Sequence, residues 1–170
     1  MLLDRTMDDL IANHEISQFL YREARLLDEA DYGAWAELLD DDIEYIAPQA
    51  EFTDRPNNAL DHIGSHHFQE NKDSILNRID WLSSGFSSSE TPQPIRNRII
   101  ANIMITSREG DDFEVSSQFQ LIQSRWDGTQ VDFSGRREDK LRRTGDGLRI
   151  FRRVIYLSTP VLPRALTTFL

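Results

Sequence analysis

The sequence predicts an α+β domain in which helices lie on the concave face of a strongly curved, antiparallel sheet. Three observations predict it. Apolar residues recur at helical spacing between Ile16 and Ala30, and again between Lys72 and Ser83. From Ile95 onward the period becomes two, with turn signals at Glu109–Asp112, Asp127–Gly128 and Thr144–Gly147. Helices first and hairpin-connected strands afterwards is the order of an α+β fold, not of a parallel α/β one. The 170 residues read as one domain, 1–170, with no internal repeat and no linker, and are enough to bury a core without staples.

Met1 to Asn13 mixes acids with a few apolar residues and reads as a loose lead-in or a short helical turn. Ile16, Phe19, Leu20, Ala24, Leu27 and Ala30 then share one helical face, with Leu26 at its edge and Glu23 near its centre. Ser17, Tyr21, Arg22, Arg25, Asp28 and Glu29 lie mostly opposite, so the helix is amphipathic. Asp31 is placed to cap a short helix, Tyr32 to Leu39, whose apolar face is Trp35, Leu38 and Leu39. Three aspartates break the pattern, and Ile43 to Pro48 alternates as a first strand. Gln49 to His67 contains Pro56, Asn57, Asn58 and Gly64 and reads as a long loop. Ile75, Leu76, Ile79 and Leu82 give the next helix, and Phe86 to Pro94 is a Ser- and Pro-rich connection.

Along the following strand Ile95, Ile99, Ala101, Ile103 and Ile105 share a face, with Arg96, Arg98 and Asn102 on the other. Phe113, Val115, Phe119 and Leu121 alternate in a second strand, Val131 to Arg143 forms a third and Leu148 to Leu157 a fourth. Pro160 and Pro163 stop the ladder and leave a tail closing with Thr168, Phe169 and Leu170.

Composition narrows the function classes. Apolar content of 39% and charged content of 28% are those of a soluble globular protein. No stretch approaches the roughly 18 apolar residues of a membrane span. The net charge of −10 disfavours nucleic acid and anionic membranes, which both demand a cationic face. The absence of cysteine excludes a disulfide framework, a thiolate metal site and a cysteine nucleophile, and fits a cytoplasmic location.

Two clusters of charge call for an account. Glu23 sits in an apolar stripe, where an unpaired carboxylate would cost several kcal/mol, so it is expected to pair with an arginine. Arg98 lies opposite the isoleucine face of its strand, and Arg153 shares a face with Phe151 and Ile155; either would tie helix to sheet. The segment Arg136 to Arg153 carries eight basic residues against three acidic ones. Its arginines alternate beside Glu138 and Asp139, a pattern that suits cross-strand and inter-subunit ion pairs. Arg136, Arg137, Asp139, Arg142 and Arg152, with Phe169 and Leu170 of the tail, are therefore the expected subunit interface.

Several segments together resemble one family. Phe19 to Ala24, Leu27-Asp28, Trp35, Leu38-Leu39 and Asp42 to Tyr45 are similar to the β subunits of bacterial aromatic-ring-hydroxylating, Rieske-type dioxygenases. So are Leu76 to Ile79, Gly85, Glu90, Pro92 and Arg98 to Asn102. The strongest stretch is Arg136 to Arg143 followed by Phe151 to Leu157, and Val161-Leu162 and Phe169-Leu170 match how those subunits end. Thr91 to Asn97 and Ser158 depart from the family's pattern at sites expected to touch neighbouring subunits.

The resemblance implies a cone-shaped fold of the cystatin-like, nuclear-transport-factor type. It implies a homotrimer of β chains within an α3β3 assembly acting in aromatic catabolism. The Rieske iron–sulfur cluster and the mononuclear iron would belong to the α subunit, leaving this chain as an accessory without a cofactor and inactive alone. The residues agree that a Rieske cluster is not held here, since it requires two cysteines. His62 and His66, with His67 and Glu70 beyond them, approach a two-histidine, one-carboxylate iron set. Gly64-Ser65 between them weakens a helix, however, and they read as loop histidines. The alternative reading is a free-standing dehydratase or isomerase of the same fold, using Asp31, Tyr32, Tyr45 and His62 as acid or base. A plain oligomeric binding module is the third.

Overall fold

The computed structural model describes residues 2–55, 58–84, 92–162 and 166–170. Among these residues three helices, α1 (Leu2–Asp28), α2 (Tyr32–Ala36) and α3 (Lys72–Ser83), pack on one curved sheet. Its strands are β1 (Leu39–Arg55), β2 (Asn58–Glu70), β3 (Ile95–Glu109), β4 (Asp112–Ser124), β5 (Gln130–Thr144) and β6 (Gly147–Leu157). The order across the sheet is β2-β1-β6-β5-β4-β3. A β1–β2 hairpin and a β3-to-β6 meander are joined where β1 meets β6, and that one pairing is parallel. The sheet is thus mixed rather than wholly antiparallel.

Four expectations about single elements need correcting. The opening residues are not a loose lead-in, because α1 runs unbroken from Leu2. Once Ala12 and Ile16 are buried, extending a formed helix by exposed residues adds one hydrogen bond per residue fixed. Helix α2 stops at Ala36, and Lys72 Nζ donates to the carbonyls of Ala36 (2.6 Å) and Leu39 (2.8 Å) beyond that end. The segment read as a long loop, Gln49 to His67, is mostly strand, with the outer end of β1 as far as Arg55 and β2 from Asn58 to His67. Its turn-type residues are tolerated because β2 is an edge strand and Pro48 sits where the register slips.

The fourth correction is in β3. Ile95 (76% exposed) and Ile99 (52%) point outward while Arg96 and Ile100 are buried. A bulge between Ala101 and Met104 opposes one extra residue to β4, with Asn102 in the left-handed region at φ 51°. The bulge inverts the parity, so Ile103 and Ile105 turn inward and pack against the core. Helix α3 has the bounds that the sequence predicts, and its Asn71–Ser74 capping box closes its first turn. The shared core draws Ile16, Leu20 and Leu27 from α1, Trp35 from α2, and Ile43, Phe113, Phe133 and Ile155 from the strands.

Candidate functional site

The interior holds two polar constructions. In the first, α1 lowers Glu23 from its apolar stripe onto inward positions of β5 and β6. Arg153 clasps it two-handed, Nη1 to Oε1 at 2.5 Å and Nη2 to Oε2 at 2.9 Å. The same guanidinium donates to Asp139 through Nε (2.7 Å) and Nη2 (2.8 Å). Arg137 approaches Glu23 Oε2 at 3.5 Å, and the indole N–H of Trp35 donates to Oε1 at 3.1 Å. Two carboxylates and two guanidiniums, none more than 2% exposed, thus form a neutral buried network.

Its electrostatics follow from that balance. Burial pushes the Glu23 carboxyl up, but the Arg153 and Arg137 charges and the donated hydrogen bonds overcome it and hold the group at about 2. Arg137 is lowered to about 10 by burial and by the like charge of Arg153, because Glu23 and Asp139 only partly compensate. Its Nε and Nη2 have no hydrogen-bond partner among the described residues, and Phe119 lies under the guanidinium at 5.4 Å. Arg153 is pushed the other way: burial lowers it, and the two flanking carboxylates raise it further.

The second construction lies between α2, α3 and the sheet. Phe169 and Leu170 are fully buried there. The Phe169 ring packs on Trp35 (4.3 Å), Tyr32 (5.6 Å) and Tyr45 (6.4 Å), with the Arg78 guanidinium 3.8 Å from its centroid. Its carbonyl accepts from Arg98 Nη2 at 2.6 Å. The Tyr45 hydroxyl donates to the Leu170 carbonyl (2.6 Å) and accepts from the Leu170 N–H (2.7 Å). Burial raises the Tyr45 phenol above its ordinary value, with Arg153 and Arg78 opposing.

The predicted residues are distributed as follows. Of the two arginines proposed for Glu23, Arg153 is on it. Arg98 instead pairs with Asp28 at the end of α1 through Nη1, and its backbone N–H donates to the same carboxylate at 2.9 Å. Of the expected interface, Arg136, Arg142 and Arg152 are on the outward face, and each has a partner within the chain. Arg136 meets Glu138 (3.0 Å), Arg142 lies among Asp40, Asp42 and Asp112, and Arg152 meets Glu44 (3.1 Å). Arg137, Asp139, Phe169 and Leu170 face the interior, because strand alternation turns odd positions of β5 inward and residues 166–170 fold back under α3. Those four are corrected from interface to core.

The proposed acid/base set is not drawn together for chemistry. Asp31 accepts from the Ala34 N–H at 3.2 Å as the cap of α2, Tyr32 packs on Phe169, and Tyr45 is engaged with Leu170. His62 and His66 are on strand β2, not on one helix, and the His62 side chain lies outside the described residues. No group of three metal-ligating side chains is found among the described residues. Arg137, Trp35 and Arg78 are the participants that sequence reasoning missed. For Arg137 the signal existed, since it shares parity with Phe133 and Leu141 on β5.

A curved sheet wrapped around one long helix, its interior filled by a neutral ion network and by its own Phe169, defines a scaffold of the nuclear-transport-factor type. The chain belongs to the ring hydroxylating beta subunit family, whose model matches residues 22–164. It is 33% identical over 150 residues to the β subunit of biphenyl 2,3-dioxygenase from Rhodococcus jostii, covering 85% of this chain and 80% of that one. It is 31% identical over 150 residues to the β subunit of benzene 1,2-dioxygenase from Pseudomonas putida, with the same coverage. Among solved structures, a chain of naphthalene 1,2-dioxygenase with indole in its active site superposes with a TM-score of 0.81 at 22% identity. That match covers 95% of this chain and 87% of the other. The chain is therefore an accessory subunit of an oxidoreductase complex, and the free-standing enzyme reading is not favoured. No helix among the described residues is long and apolar enough to cross a membrane.

Proposed function

We propose that this chain is the β subunit of a cytoplasmic aromatic-ring-hydroxylating dioxygenase, trimeric by itself and part of an α3β3 assembly with its α partner. The observation that carries this reading is where the apolar surface lies. The inward arginines and carboxylates are consumed by the fold, while Ile95, Ile99, Met104 and Trp126 are each more than half exposed. Ile95 and Ile99 share one face of β3, an edge strand of the sheet, and an exposed apolar edge of that kind favours coverage by another subunit. The aromatic substrate and both iron centres belong, in this reading, to the α subunit, consistent with a chain that has no cysteine for a Rieske cluster.

Size exclusion with light scattering, on this chain alone and after co-expression with a Rieske-containing α chain, tests the proposal. A trimer alone and an equimolar complex with α are expected, with iron and ring hydroxylation only in the complex. A monodisperse monomer at micromolar concentration that ignores the α chain overturns it.

A further inference from the structure

Residues 166–170 are held in the manner of a bound ligand. The Phe169 ring has aromatic side chains around it and a guanidinium on its face, while Arg98 and Tyr45 take the backbone oxygens of Phe169 and Leu170. Thr168 adds a contact to the same Arg98 Nη2 at 3.1 Å. No described residue of this segment joins the sheet's ladder, so these contacts carry its docking. We propose that this aromatic box is a binding site for an aryl-substituted propanoate, which Phe169 fills in cis and from which a free ligand of that class displaces it. The proposal is independent of the accessory role and of the assembly.

The chemistry of the occupant defines the ligand class. The ring, methylene, α-carbon and carbonyl of a phenylalanine residue are the skeleton of a phenylpropanoyl group. In the free acid the carbonyl becomes a carboxylate, and the atom that would meet it here is Arg98 Nη2, now 2.6 Å from the Phe169 oxygen. Arg98 already pairs with Asp28, and what a second arginine adds is open donors rather than an unbalanced charge. Arg78 lies 3.8 Å from the ring centroid and ion-pairs Glu70 at 3.2 Å, yet its buried Nε and Nη2 have no hydrogen-bond partner among the described residues. A cleft of about 260 Å³, lined by Ala30, Tyr32, Leu82, Ser83, Gln93 and Arg96, shares the Tyr32 wall with Phe169.

The test uses the full chain with hydrocinnamate, the unsubstituted phenylpropanoate, as probe. Propanoate and cyclohexylpropanoate serve as controls for charge and for shape without aromaticity. Phe169→Ala should melt below wild type and be raised by several degrees at saturating hydrocinnamate, more than by either control. In wild type, amide exchange should show faster exchange of the Leu170 N–H as hydrocinnamate is added. If hydrocinnamate stabilises Phe169→Ala no more than the controls do, the proposal is overturned. Should that variant fail to fold, unchanged Leu170 exchange in wild type at saturating probe overturns it equally.

Discussion

Arg152 and Arg153 are neighbours on one strand and live in different media. The Arg152 side chain is 38% exposed and meets Glu44 at 3.1 Å in a contact that water and salt can replace. Arg153 is fully buried, shared between Glu23 and Asp139, with no solvent to take over if a partner is lost. Arg136 and Arg137 repeat the contrast on β5, outward beside Glu138 and inward beside Glu23. One basic run therefore feeds two separate systems, and strand parity alone assigns each residue. Inside, the charges fix how α1 sits on the sheet; outside, they form exchangeable pairs at the surface.

The contrast breaks most readily at Glu23. Replacing it by alanine takes the hydrogen-bonded carboxylate from buried Arg137 and leaves Arg153 with Asp139 alone, and urea denaturation should report a loss of about 3–5 kcal/mol. The pH dependence sharpens the point. The Glu23 carboxyl titrates at about 2 in the folded chain, below its ordinary 4.5, so its contribution is complete above 4.5 and is lost as pH falls towards 2. Integrated over that window it amounts to about 3 kcal/mol. Denaturation curves between those pH values should show a steeper acid limb for wild type than for Glu23→Ala.

A smaller effect is expected at the other end of α1. Asp28→Ala removes the acceptor for both the backbone and the side chain of Arg98, and Arg98 retains Thr168 and Phe169. Because Asp28 is partly exposed, the loss should be about 1–3 kcal/mol in the same assay.

What could be read in advance divides along physical lines. Glu23 was legible because a helix has a fixed angular period, and a carboxylate at the centre of a stripe has to be answered by a cation. Helix α3 and the β4–β6 meander were legible for a related reason: each has one buried face and a clear period. Strand β2 was hidden because an edge strand tolerates Asn, Gly and nearby Pro, the residues that otherwise signal loops. The faces of β3 were read inverted. An extra residue at the Asn102 bulge switches parity within one strand, and Asp28 makes an inward Arg98 acceptable, neither of which periodicity reveals. The Phe169 box joins α2, β1, α3 and β3 across most of the chain, so no local pattern carried it.

Measuring Arg152→Ala and Arg153→Ala side by side in urea, at neutral pH and moderate salt, tests the division of inner and outer charge most directly. The account predicts a loss of about 3–5 kcal/mol for Arg153→Ala and under about 1 kcal/mol for Arg152→Ala. Equal losses in the two variants, or a larger one for Arg152→Ala, would contradict it.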